Sequence, residues 1–538
     1  MTKGWFLGLL VILCSSCLGI KGLKNESQLY EKEWRNTATI LQPTDVLNKS
    51  VNGNWQLRIK GNPYELGTKK GMLTEKLYQQ QEEIFFDKVA HFVPNPSKQK
   101  KLLSFLKWYN RSILTYVPKP YKQEIFALSQ FTNETYDFLG TKFERNLLLH
   151  SAHDIGHAMQ DLMLVGCSSI ALWDDFTEDG ELLIGRNFDF YVNDAFAENK
   201  IVEFIQPKIG YNYASVTWPG MVGVVSGMNE KGLTITLNAG RSSIPLRGKT
   251  PVSIVARSIL QHAANLSEAV ALAQQFEVFV AESFLIGSAA DNKAIVIEMS
   301  PNKFDVYEQH NGKLICTNHF QSATYQSDVR NQEHIATSHS QYRFQKLEET
   351  FPASQTYQVA DVLRVLRDVS GLQGATIGLG NEKALNQLMA HHAVIFQPQK
   401  LIMYVSNNPY QLGAFDAYDL KKVFTANELK PEKVLELPAD NFLFSDQFKK
   451  YKEFRQLNEQ LIHAIKNEAE ISSEKLRAYE QSNPELWLTH KYLGDYFAQQ
   501  KQFSQAIHHY KLALEKEISS ETEKKALHKQ LKKLQKKI

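Results

Sequence analysis

From Cys167 to about Val405 the chain is a succession of short apolar runs broken by turn signals, a texture that confines its middle to β-sheet. Residues 168–173, 182–185, 201–205, 214–217, 233–237, 294–299 and 393–405 have the apolar runs and the flanking turns of strands. Turns fall at Glu178-Asp179-Gly180, Asn229-Glu230-Lys231-Gly232 and Asp291-Asn292-Lys293. Helical periodicity recurs at 252–275 and 359–367. Strand groups alternating with helices predict an α+β arrangement, two sheets with helices outside.

The flanks read differently. Residues 54–145 look mainly helical after a short strand at 55–59, with breaks at Gly61-Asn62-Pro63, Pro94-Asn95-Pro96 and Pro118-Lys119-Pro120. A helical stretch at 143–162 leads into Gly166-Cys167. Beyond 426 the sequence is helical and polar. Residues 484–517 carry Trp487, Leu493-Gly494, Tyr496, Ala506, Tyr510 and Ala513 and resemble one tetratricopeptide (TPR) repeat of about 34 residues. One repeat cannot bury both faces, so 446–481 is expected to form a helical hairpin beside it, and the unit is a candidate surface for a protein partner. The last eighteen residues hold seven lysines and two glutamates, which reads as a solvated capping helix. With 538 residues, 43% of them hydrophobic, the chain has material for two or more domains and is not disordered. A net charge of +3 gives no case for nucleic acid as a partner.

Four cysteines in this length rule out a disulfide framework. Two of them, Cys14 and Cys17, follow Lys3 and an apolar run of about ten residues, the pattern of an export signal too short to span a bilayer. Ser15-Ser16-Cys17 resembles a bacterial lipobox, although Cys14 stands where such motifs carry an aliphatic residue. The expectation is a signal over 1–17, lipid on Cys17, and an exported protein held at a membrane of the cell envelope, with plain signal cleavage or a retained anchor helix as the alternatives.

Cys167 and Cys316 remain. Cys167 opens the run Gly166-Cys167-Ser168-Ser169, and a hairpin turn at Asp179-Gly180 would return Gly185-Arg186-Asn187-Phe188-Asp189 beside it. A nearby guanidinium favours thiolate, the nucleophilic form, so the juxtaposition suits covalent catalysis. The plain alternative for a lone cysteine is apolar filling, and that is the reading of Cys316. Two histidine features point weakly to metal. His153 and His157 stand at i, i+4, but Gly156 weakens the helix and no third ligand is evident, while His391-His392 has no spacing partner. No metal and no cofactor are expected.

Taken with later landmarks, these residues resemble the N-terminal-nucleophile (Ntn) hydrolases of the choloylglycine hydrolase and penicillin acyltransferase superfamily. The landmarks are Gly61-Asn62-Pro63-Tyr64-Glu65-Leu66-Gly67, Gly227-Met228-Asn229-Glu230-Lys231-Gly232, Leu237-Asn238, Cys316-Thr317-Asn318 and Ser340-Gln341-Tyr342-Arg343-Phe344. The resemblance covers roughly residues 54–425 and implies a four-layer αββα sandwich. It implies that the chain cuts itself between Gly166 and Cys167, dividing an 18–166 segment from a 167–425 catalytic core, with a helical appendage over 440–538. It further implies that Cys167 is the nucleophile, Asn238 donates to the oxyanion, Asp189 holds the freed α-amine, Asn318 orients it or the substrate, and Arg186 and Arg343 supply charge. Read without the resemblance, Asn238 and Asn318 also suit turns, Arg186 and Asp189 a structural ion pair, Arg343 a solvated surface, and Asn229 the shaping of its own turn. The expected reaction is hydrolysis of a linear amide in an N-acylated small molecule. Acyl transfer to an amine and an inert envelope adaptor are the alternatives.

Overall fold

The structure, a computed structural model, describes residues 25–158, 166–243, 247–425 and 429–537. The export signal with Cys14 and Cys17 lies outside the described residues.

Fifteen strands among the described residues build two sheets. They are β1 (Val46–Lys49), β2 (Trp55–Gly61), β3 (Ser168–Leu172), β4 (Leu183–Phe188), β5 (Ile201–Pro207), β6 (Tyr213–Thr217), β7 (Ser226–Asn229), β8 (Leu233–Ala239), β9 (Glu282–Ser288), β10 (Lys293–Ser300), β11 (Lys303–Glu308), β12 (Lys313–Cys316), β13 (His392–Gln397), β14 (Ile402–Ser406) and β15 (Phe415–Asp419). The larger sheet runs β1-β2-β5-β6-β7-β8-β9-β10-β11 and the smaller β12-β3-β4-β13-β14-β15. Neighbours are antiparallel except β2 and β5, which pair parallel from Trp55↔Ile201 to Gly61↔Pro207.

Strand alternation sorts side chains into layers. On β9, Leu285 points between the sheets, where it joins Val296 and Phe204 of the larger sheet and Ile184, Val394 and Met403 of the smaller. Its neighbours Phe284 and Ile286 point outward and are covered by Val255, Ile259 and Ala269 of the helices Val252–His262 and Leu266–Ala273. The outer face of the smaller sheet, with Ile170, Leu183 and Ile395, is covered by Leu347 and Val362 of the helices Ser340–Thr350 and Val359–Leu366. The order is helix, sheet, sheet, helix: a four-layer αββα sandwich.

Two segments flank it. Residues before Gly166 pack as a helical group about Tyr78, Phe126 and Phe143, while also supplying β1 and β2 to the larger sheet. Five helices from Asp446–Asn467 to Glu521–Gln535 share a core with Trp487, Tyr510 and Ala513 that takes in Leu379, Leu388 and Leu412 of the sandwich. Several sequence expectations need correction. The run 393–405 is two strands of a hairpin, with Leu401 at φ 58 in its turn. The helical stretch 252–275 is two helices, the second capped by Asn265. Strands β1, β7, β9, β11, β12 and β15 escaped notice; all but β9 are short or polar, and paired neighbours rather than their own pattern hold them.

Candidate active site

The β3–β4 hairpin builds the site. Its register sets Ser169 opposite Arg186 and Ser168 opposite Asn187, so the turn at Gly180 does return Arg186 to the strand that follows Cys167. Cys167 is fully buried, and Arg186 Nη2 lies 3.7 Å from its Sγ. That guanidinium is otherwise engaged. It donates to the carbonyls of Val225 (3.3 Å) and Leu237 and to Ser226 Oγ (2.5 Å), and it lies 4.2 Å over the Phe188 ring. Ser226 Oγ is in turn 2.9 Å from His392 Nε2, so this histidine buttresses the arginine.

Burial dominates the electrostatics. It pushes the Cys167 thiol up to about 11, although Arg186 pulls the other way. Arg186 thus favours the thiolate as expected, but burial outweighs it and holds the thiol above its ordinary range. Burial likewise pushes the Asp189 carboxyl up to about 7, against Arg343 and Arg186. Both Asp189 carboxylate oxygens are buried with no hydrogen-bond partner among the described residues. Asp189 is thus not the partner of a structural ion pair, and its backbone carbonyl accepts from Gly166 N–H at 3.0 Å.

Arg343 is fully buried on the helix Ser340–Thr350, not solvated. It donates to the Cys167 carbonyl (2.5 Å), Ser168 Oγ (2.7 Å) and Asn318 Oδ1 (2.7 Å). His339 Nδ1 accepts from its Nε at 3.3 Å, which requires a neutral ring, and burial with Arg343 holds that imidazole well below its usual range. Burial also brings Arg343 down to about 10. Asn318 donates to Ala239 O (3.0 Å), and its N–H is held by Ser340 Oγ (2.8 Å). Asn238, near the end of β8, accepts from Ser169 Oγ (3.0 Å) and donates to Cys316 O (3.0 Å), leaving its amide nitrogen a second hydrogen. Asn229 shapes its turn, accepting from the N–H groups of Lys231 and Leu233 at 3.0 Å. Cys316 packs between the sheets.

All six residues singled out by sequence thus fall on the β3–β4 hairpin, β8 and the elements against them. Gln387 was missed. It donates to the Gly166 carbonyl at 2.8 Å from 221 residues away, and no motif marks it.

An apolar cavity of about 50 Å³ adjoins the site, lined in part by Tyr78, Phe85, Phe190, Phe196 and Trp218. Phe190 stacks on Phe188, the ring beneath Arg186, at 5.7 Å. Asp154 Oδ2 accepts from Val252 N–H at 2.8 Å, docking the preceding helical segment on the sandwich, whereas the side chains of His153 and His157 lie outside the described residues. Among the described residues, Glu480, His490 and His509 bring ligating atoms within 4.8 Å of one another. The two imidazoles meet head-on, Nδ1 atoms 3.4 Å apart and ring centres 5.7 Å apart, which suits an N–H···N contact rather than two lone pairs converging on one ion.

Residues 176–406 match the family model of acyl-coenzyme A:6-aminopenicillanic acid acyl-transferase. This stretch is thus similar to the penicillin acyltransferase family. The family match takes in Arg186, Asp189, Asn238, Asn318 and Arg343, begins after Cys167 and ends before the helical unit. An uncharacterized protein of Archaeoglobus fulgidus is 28% identical over 273 residues, 47% of this chain and 45% of its own length. The matched stretch therefore spans about half of that relative. Among solved structures, an N-acylethanolamine-hydrolyzing acid amidase ortholog of Caenorhabditis elegans is similar at 19% identity and a TM-score of 0.32, over 43% of this chain and 93% of that one. Penicillin V acylase from Agrobacterium tumefaciens is similar at 14% and 0.32, over 48% and 87%. A conjugated bile acid hydrolase mutant from Clostridium perfringens is similar at 15% and 0.31, over 50% and 96%.

Proposed function

We propose that the protein is a cysteine Ntn amidohydrolase that frees Cys167 by cutting its own chain after Gly166, then cleaves the linear amide of an N-acylated small molecule. The observation that carries this reading is the unpartnered, buried Asp189 carboxylate in the charged surroundings of Cys167. A buried carboxylate without a partner is costly, and an α-ammonium at Cys167 would satisfy it. The same amine would supply the base that the protonated thiol lacks, since a free α-amine titrates near 8.

In this reading the thiolate adds to the substrate carbonyl, and the amine leaves with a proton returned by the α-ammonium. Water then releases the acid from the Cys167 thioester. Asn238 would donate its second amide hydrogen to the oxyanion, a contact typically worth about 3 kcal/mol in the transition state. Arg343 keeps the Cys167 carbonyl fixed while its nitrogen becomes a terminus. The aromatic cavity suits an apolar acyl group. Transfer to an amine acceptor uses the same thioester, and the family's name favours keeping it as the second reading.

Intact mass of the purified protein should give two chains meeting at Gly166/Cys167, and Cys167→Ala should remain whole and inactive. A panel of N-acyl amines, with and without acceptor amines, would separate hydrolysis from transfer. Full turnover by uncut wild-type chain would sink the reading.

A further inference from the structure

The Gly166 carbonyl, the bond end that self-cleavage must attack, is held by one side-chain amide. Gln387 Nε2 donates to it at 2.8 Å, and Gln387 is buried. The approach is close: a Cβ at residue 166 would lie 2.3 Å from Gln387 Nε2 and 2.5 Å from its Oε1, so a larger residue would push the amide away from the carbonyl.

Gln387 sits on a segment with little regular structure that is tied down from two sides. From the sandwich, Asn187, the neighbour of Arg186 on β4, donates to Leu385 O at 2.8 Å. From the helical unit, Asn483 exchanges hydrogen bonds with the Leu379 backbone (3.2 and 2.9 Å), and Asn381 donates to Glu517 O at 2.8 Å. Gly378 lies so close to Leu486 that a Cβ would meet its Cα at 2.4 Å. The C-terminal helices thereby anchor the loop that presents Gln387.

We propose that Gln387 is the oxyanion donor of the self-cleavage step. This rests on the self-cleavage proposed above. The Cys167 sulfur bonds to the Gly166 carbonyl carbon, and the carbonyl electron pair moves onto the oxygen held by the Gln387 N–H. The thiol proton passes to the Cys167 nitrogen as the C–N bond breaks, leaving a thioester and a free α-amine. One water then adds to the thioester and the C–S bond breaks, giving the Gly166 carboxylate and restoring the thiol. A donor already aligned on the ground-state carbonyl needs no rearrangement when negative charge develops there.

The test follows precursor conversion during cell-free synthesis of the full chain, with wild type, Gln387→Ala, Gln387→Glu and Cys167→Ala in parallel. Gln387→Glu has the same shape but no N–H to donate, and it carries the test should the alanine variant not fold, with thermal melting as the check. The expected result is conversion slowed by roughly 10²–10³-fold in the Gln387 variants, the loss typical of one oxyanion donor. Folded Gln387→Glu cutting at the wild-type rate would overturn the role while leaving self-cleavage intact. Wild type that stays whole would remove self-cleavage itself, and this role with it.

Discussion

Asp189 shows how a single residue can hold the intact chain in tension. Its carboxyl is raised to about 7 by burial, against about 4 for an exposed aspartate. Between those values the folded chain keeps a proton that the unfolded chain has lost, so stability falls as pH rises through this window and the whole penalty is present above 7. In the uncut Cys167→Ala background, Asp189→Asn should therefore stabilise the protein at pH 8, by roughly 1–4 kcal/mol, and have a smaller effect at pH 5. Thermal melts at the two pH values read this directly, and equal shifts would contradict the raised carboxyl. The residue types around Cys167 were legible in sequence, whereas their charge states were not. Arg186 signals a thiolate on paper, but desolvation outweighs it once the sulfur is buried and the guanidinium is shared with Val225 and Leu237.

The Gly61–Gly67 stretch acquires its meaning at the level of elements. Asn62 caps the helix Pro63–Phe92 through a reciprocal pair with Glu65, and Pro63 occupies the first turn, so helix entry is written locally. Gly67 belongs to the packing. A Cβ there would lie 2.2 Å from the backbone carbonyl of Glu124 on the helix Lys119–Ser129, and a backbone atom cannot swing aside. Gly67→Ala should force these helices apart and cost about 1–3 kcal/mol in urea unfolding, with Gly53→Ala, in open space but at φ 108, as a comparison whose cost comes from backbone strain instead. Unchanged stability of Gly67→Ala would mean that the crossing relaxes freely. Long strands such as β8 and β10 advertised themselves through apolar runs. Strand β11 is partly buried along its length with no alternation, and β7 is four residues held by β6 and β8.

Across the whole molecule, the described residues before Gly166 are a component of the sandwich. Strand β2 pairs with β5 along seven residues, and buried ion pairs join Lys70 to Glu203 at 2.9 Å and Glu124 to Arg257 at 3.2 Å. Separating the two sides of a cut at Gly166 would expose those charges and break a seven-residue ladder, a cost far above the loss of one covalent link. The cut protein should accordingly elute from size exclusion as one particle and come apart only in denaturant. Fragments that separate in native buffer would show that these contacts do not hold the sides together. The helical unit is tied in just as firmly, through Leu379, Leu388 and Leu412 in its core.

Local order along the chain settled the helical entry at Asn62 and the β3–β4 hairpin that returns Arg186 and Asp189 to Cys167, because caps, turns and alternation act over a few neighbouring residues, whereas Asn238, Asn318 and Arg343 were reached only through the family resemblance. Gln387 on Gly166, His392 behind Arg186, the entry of β2 into the larger sheet and the protonated state of the thiol arose only on folding. Each depends on which distant segments meet and how much water they exclude, and neither has a short-range signature.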